Sequence, residues 1–138
     1  MNIFMTGGTG FVGTSLTKKF ISEGHNVTIL TPSSGDPVLK LNGLAYLDGN
    51  PTVKGKWQDA VKEHDVIINL AGASIFSRWT PEQKKILRDS RIETTRNLVD
   101  ALPADAGRIT LFSTSAVGYY GFHQDEDLTE NSAAGNDF

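Results

Sequence analysis

The 138-residue chain has the length of one domain, with the 38% hydrophobic and 21% charged residues of an ordinary globular protein. A net formal charge of −3 offers no basic field for nucleic acid or an anionic membrane, and the lack of cysteine excludes a disulfide framework, cysteine-ligated metal and thiol catalysis. No segment approaches the about 18 consecutive apolar residues of a membrane helix, and the N-terminus lacks the basic start and apolar run of a signal peptide. A cytoplasmic location is the resulting expectation.

Asn2–Met5 is a short apolar strand followed by glycines. Phe11 to Glu23 reads as a helix with Val12, Leu16 and Phe20 on one face, ended by Gly24 at the position after the cap. Val27–Leu30 is a second strand, closed by the loop composition Thr31-Pro32-Ser33-Ser34-Gly35. Leu44–Leu47 is a third, weaker strand, and Gln58–Glu63 a short helix. Asp65–Leu70 is apolar without alternation, as in a strand buried on both faces. A long helix opens with Thr80 as N-cap, Pro81 at the first helical position and Gln83 completing a capping box. It runs to about Leu102, where Pro103 stops it, and Ile109–Phe112 is the last strand. Everything after Gly118 reads as loop.

Five strands alternating with helices predict an α/β domain over residues 1–138, a doubly wound parallel sheet with helices on both faces. Ligands of such sheets sit at the carboxyl ends of the strands. Here those ends are Thr6–Gly10, Thr31–Ser34, Asp48, Asn69–Ser74 and Ser113–Tyr119, all rich in small or polar residues.

Gly7-x-x-Gly10-x-x-Gly13 follows a strand and opens a helix, the context of a dinucleotide-binding turn. Gly7 permits the tight turn, Gly10 lets a pyrophosphate approach the backbone, and Gly13 lets helix and strand pack closely. Free N–H groups at the helix start face the phosphates. The alternative is a purely structural turn. After the second strand, NAD enzymes usually carry an acid for the ribose 2′-hydroxyl. None stands at Thr31–Ser34, and the hydroxyls of Thr31, Ser33 and Ser34 lean the preference towards NADP over NAD; a plain polar loop is the alternative.

Asp48 is either an acceptor for an adenine amino group or a turn residue before Gly49. Asn69-Leu70-Ala71-Gly72 offers a flat backbone for a ring or ribose, or forms a simple strand-to-loop turn. On the long helix Leu87, Leu98 and Leu102 define an apolar arc, extended by Ile92 and Val99, and Arg91 falls inside it. Arg91 either snorkels to solvent or meets an acid or phosphate at the cleft. Ser113-Thr114-Ser115 ends the last strand, where a hydroxyl can hold a substrate carbonyl or hydroxyl. His25, His64 and His123 have neither triad nor metal spacing, so no metal site is expected. Tyr119 and Tyr120 are either acids or packing residues, and Asp125-Glu126-Asp127 is a solvated loop.

Thr6-Gly7-Gly8-Thr9-Gly10-Phe11-Val12-Gly13 resembles the glycine motif of extended and atypical short-chain dehydrogenase/reductases. The resemblance continues through Asn69-Leu70-Ala71-Gly72, Ser90-Arg91-Ile92-Glu93-Thr94-Thr95-Arg96 and Ser113-Thr114-Ser115-Ala116-Val117-Gly118-Tyr119-Tyr120-Gly121. Together these look like the nucleoside-diphosphate-sugar epimerase-like proteins, an NAD(P)-dependent epimerase/dehydratase subgroup. The resemblance implies an NAD(P)-binding Rossmann fold, incomplete relative to the full family fold, with cofactor contacts at Gly7, Gly10 and Gly13 and at Leu70, Ala71 and Gly72. The expected cofactor set is completed by Thr9, Phe11 and Val12 within the glycine motif, by Thr31, Ser33 and Asp48 at the strand ends, and by Arg91. It also implies a catalytic serine at Ser115. Arg91 stands where many extended members have asparagine.

The family's Tyr-x-x-x-Lys pair would fall beyond Phe138, and no lysine follows Lys85. The chain therefore looks like the N-terminal part of a longer oxidoreductase that moves hydride between a nicotinamide and a nucleotide-sugar-like carbinol. By itself it is expected to bind cofactor weakly and to turn over nothing. The competing reading is a non-catalytic cofactor-binding or redox-sensing module. Partners are expected to be the dinucleotide and a small carbonyl or hydroxyl substrate, with no nucleic acid, no membrane and a homodimer compatible with the polar Lys84–Arg96 segment.

Overall fold

The computed structural model describes residues 1–32 and 39–136. Five parallel strands form one sheet: β1 (Asn2–Thr6), β2 (Asn26–Thr31), β3 (Leu44–Asp48), β4 (Val66–Asn69) and β5 (Thr110–Ser113), in the order β3-β2-β1-β4-β5. Between them lie α1 (Phe11–Ser22), the short α2 (Gln58–Val61) and α3 (Pro81–Asp100); a single 3₁₀ turn, Val117–Tyr120, follows β5. The elements match the sequence reading within one or two residues at most ends. The expected helix at Gln58–Glu63 is shorter, ending at Val61.

Alternation along the strands feeds two cores. Ile3, Met5, Val27, Ile29 and Ile68 face α1 and meet Leu16, Phe20 and Ile21. Phe4, Leu30 and Ile67 point the other way and meet Trp57, Val61 and Leu98 beside α2 and α3. Helices thus cover both faces, as expected. β1 and β4 are buried on both faces, which is why they read as unbroken apolar runs.

The helix ends follow local chemistry. Gly24 adopts a φ of +81°, its N–H donates to the Ile21 carbonyl, and His25 N–H donates to the Phe20 carbonyl. These two bonds are a Schellman stop. At the start of α3, Thr80 Oγ1 accepts from Gln83 N at 3.2 Å. The reciprocal half of the capping box is not made, because Thr80 N–H donates to the Arg78 carbonyl instead.

Two sequence expectations about helix faces change. Val12 is 54% exposed, so the buried stripe of α1 is Gly13, Leu16, Thr17 and Phe20. On α3 the exposed residues include Ile92 and Val99, while Leu87, Thr94, Asn97 and Leu98 are buried. The buried face turns towards α2, where Leu98 packs with Phe4, Ile67, Trp57 and Val61 and Asn97 bonds the Pro51 carbonyl. Among the described residues no helix is long and apolar enough to cross a membrane.

Candidate functional site

The strand order reverses between β1 and β4, and a crevice at such a point is where open α/β sheets bind ligands. Two glycine-containing loops meet there. Gly7 has a φ of +70°, and a Cβ on it would lie 2.7 Å from the Leu70 carbonyl carbon. The turn after β1 and the turn after β4 therefore touch backbone to backbone. A Cβ on Gly13 would lie 2.4 Å from the Gly7 carbonyl oxygen, so this glycine sets the close seat of α1. A Cβ on Gly10 would meet only Gly7 O, at 3.2 Å; its open side faces the cleft.

Gly10 is the N-cap of α1, no side chain caps that end, and no acid occupies the first turn. The first N–H groups of a helix lack intrahelical acceptors and carry partial positive charge. A cradle that a Cβ would fill, backed by uncapped donors, fits a dinucleotide pyrophosphate. Thr9, Phe11 and Val12 stand exposed around it, Phe11 at 93%.

Arg91 supplies a fixed cation beside this crevice. Its Nη1 donates to the Leu87 carbonyl at 2.9 Å and its Nη2 to the Ala73 carbonyl at 3.5 Å. Its guanidinium carbon would lie 3.1 Å from a Cβ on Gly72, so Gly72 leaves the space that Arg91 occupies. Neutral carbonyls hold the guanidinium, and no carboxylate bridges it among the described residues. A positioned but uncompensated cation suits an incoming anion.

Asn69, 5% exposed, wires the strand ends together. Its Oδ1 accepts from Thr6 Oγ1 at 2.7 Å, and its Nδ2 donates to Thr95 Oγ1 at 3.1 Å and Ser113 Oγ at 3.2 Å. Its carbonyl accepts from both Thr114 N and Thr114 Oγ1. Ser113 and Thr114 are thereby engaged, while Ser115 is exposed and makes no hydrogen bond among the described residues. Of the three hydroxyls, that of Ser115 is the free one.

The same architecture is found in known proteins. The model of the NAD dependent epimerase/dehydratase family matches residues 3–137. The chain belongs to that family. It is 34% identical, over its whole length, to "Epimerase family protein SDR39U1 homolog, chloroplastic" of Arabidopsis thaliana, covering 41% of that protein. It is 38% identical to the epimerase family protein YfhF of Bacillus subtilis, with 99% of this chain and 45% of that protein covered. Among solved structures, human epimerase family protein SDR39U1 (isoform 2) with NADPH superimposes at a TM-score of 0.72 and 28% identity over 99% of this chain and 43% of that one. A nucleoside-diphosphate sugar epimerase from Corynebacterium glutamicum gives 0.76 and 32% over 100% and 27%. The chain thus spans less than half the length of these relatives.

Two of the remaining expected contacts, Thr31 and Asp48, end the paired strands β2 and β3. Asp48 is exposed at the end of β3, in register with the buried Thr31 of β2. Ser33 lies outside the described residues. Of the histidines, His64 contacts the Ala60 carbonyl and Thr28 Oγ1, and His123 pairs with Glu126. The Glu126 carboxylate and the Tyr120 carbonyl raise the His123 pKa above its ordinary 6.5. Tyr119 and Tyr120 pack edge to face, at 5.1 Å between ring centroids. Among the described residues no group of three or more His, Asp or Glu could hold a metal.

The motifs contain Gly8, Asn69, Ser90 and Thr95, but sequence reasoning assigned none of them its structural role: a Cβ on Gly8 would strike Ile29 at 2.7 Å, and the Asn69 amide reaches Thr95. Ser90 Oγ accepts from Ala73 N at 3.0 Å and so pins the loop that carries Gly72. The adjacency of Ser90 to Arg91 was the available signal: both grip the same loop from one turn of helix.

Proposed function

We propose that the chain is the NAD(P)-binding part of an epimerase/dehydratase-like oxidoreductase acting on a nucleotide-sugar or related small carbonyl or hydroxyl compound. The observation that carries this reading is the uncapped start of α1 behind Gly10, beside a Gly7 turn that packs on the backbone of Leu70 and Ala71. In this reading Gly7, Gly10 and Gly13 shape the pyrophosphate seat, Thr9, Phe11 and Val12 border it, and Arg91 adds charge for a phosphate. Leu70, Ala71 and Gly72 form the flat wall, and Thr31, Ser33 and Asp48 serve the adenosine end. When bound, the nicotinamide supplies the hydride donor or acceptor. Ser115 donates its hydroxyl to the reacting oxygen of the substrate.

The absence of an acid at Thr31–Ser34 favours NADP over NAD, and the NADPH in the human relative's structure supports that direction. Exposed Ile92 and Val99 on α3 support a homodimer through that helix. The test is titration of the chain with NADPH and NADH. NADPH should bind the more tightly. Gly10 has extended backbone (φ −76°, ψ 178°), so Gly10→Val keeps the fold while filling the cradle. It should weaken dinucleotide binding at least about tenfold, which is about 1.4 kcal/mol. Equal binding by Gly10→Val, or no saturable binding to the unaltered chain, overturns the proposal.

A further inference from the structure

We infer that Asn97 is a positioning residue for the adenine end of the cofactor crevice; this rests on the reading of that crevice given above. Asparagine is a poor helix former, and its amide is costly to bury without a partner. Asn97 is nevertheless only 3% exposed, deep on α3. Its Nδ2 donates to the carbonyl of Pro51 at 2.9 Å, forty-six residues away in sequence. Its own carbonyl accepts from Gln58 Nε2 at 2.9 Å, and Gln58 Oε1 accepts in turn from Gly55 N.

These bonds clasp the chain that leaves β3. Gly49 N donates to the Thr31 carbonyl, tying the start of this segment to the end of β2. Asn50 Oδ1 accepts from Thr52 N and Thr52 Oγ1, and Trp57 Nε1 donates to the Val53 carbonyl. Pro51 is buried, whereas Asp48 and Asn50 on its upstream side are exposed. The buried proline is the anchor, and the exposed residues before it are the surface offered to the base.

Ser90 and Asn97 are seven residues apart, two helical turns, and so share one face of α3 at about 10.5 Å spacing. Ser90 holds the loop after β4, and Asn97 holds the loop after β3. One rigid helix therefore sets the spacing of two walls of the crevice. The second wall is independent of the glycine turn, so disturbing it should affect one end of the ligand selectively.

The probes are ADP for the adenine end and nicotinamide mononucleotide for the other, titrated into the chain by NMR, with amide hydrogen exchange alongside. Asn97→Asp keeps the shape but turns a carboxylate oxygen towards the Pro51 carbonyl. It should accelerate exchange at Thr52 and Val53 while leaving the Gly7–Gly13 turn unchanged. ADP affinity should fall about fivefold to tenfold, the scale of one lost hydrogen bond, and mononucleotide affinity should hold. Gln58→Leu removes the second clasp and should give the same selectivity if Asn97→Asp does not fold. Equal weakening of both probes, or faster exchange with unaltered ADP affinity, overturns the assignment. Failure of the unaltered chain to bind ADP strikes instead at the proposed crevice itself.

Discussion

Truncating Asn69 to alanine tests whether the strand ends are held by one amide. Thr6 is fully buried, and its hydroxyl donates to Asn69 Oδ1 at 2.7 Å. Without that acceptor a buried donor is stranded, at a cost of about 1–3 kcal/mol. Two further bonds, to Thr95 and Ser113, are lost in a partly buried setting where water replaces them in part. Together the loss should be about 2–4 kcal/mol, a large share of the roughly 5–15 kcal/mol that stabilises a domain. Urea unfolding followed by circular dichroism reads this as a lower midpoint at unchanged slope. The sharper measurement is a double-mutant cycle with Thr6→Val. Thr6 and Asn69 are direct partners, so the cycle should show a coupling of about 1 kcal/mol or more. A loss under about 0.5 kcal/mol for Asn69→Ala, or strict additivity in the cycle, refutes the reasoning.

Other consequences can be measured directly. Gly13→Ala places a Cβ 2.4 Å from the Gly7 carbonyl oxygen, so α1 must lift off β1; the overpacking should cost about 1–3 kcal/mol, and wild-type stability would contradict the packing role. Gly72→Ala brings a methyl to 3.1 Å from the Arg91 guanidinium carbon; NADPH affinity should fall while the unfolding midpoint stays nearly constant. Thr80→Ala deletes the side-chain cap of α3 and should lower stability by about 1 kcal/mol, seen in thermal melts. An NMR titration should place His123 above its ordinary 6.5, because Glu126 and the Tyr120 carbonyl favour the charged ring, and Glu126→Gln should bring it down. The folded-state value is the raised one. The local stabilisation is therefore full below about pH 6.5 and lost as pH rises through the folded value.

Much of this protein was decided locally, and for that reason it could be read from the residues in order. A strand buried on both faces needs consecutive apolar residues, which marks Val66–Ile68 in β4. A helix needs an N-cap such as Thr80 and a stop such as Gly24, and both act through atoms within a few residues. The spacing of Gly7, Gly10 and Gly13 reports one turn joined to one helix, again a local object. The sequence resemblance added the cofactor class, and the family match bears out that NAD(P)-binding fold.

What required the tertiary structure is whatever depends on strand order. Thr6, Asn69, Thr95 and Ser113 converge only because β1, β4 and β5 are neighbours and α3 returns across them. Arg91 is defined by Gly72 and the Ala73 carbonyl, which periodicity along α3 could not reveal. Val12, Ile92 and Val99 fit apolar stripes by spacing yet lie exposed, because helical period fixes which residues share a face but not which neighbour that face meets. Asn97 is the clearest case. In sequence it stands among Glu93, Thr94 and Asp100 as one more polar residue of the helix, and in the fold it is the partner of Pro51, since a buried amide takes its meaning from the carbonyl across from it.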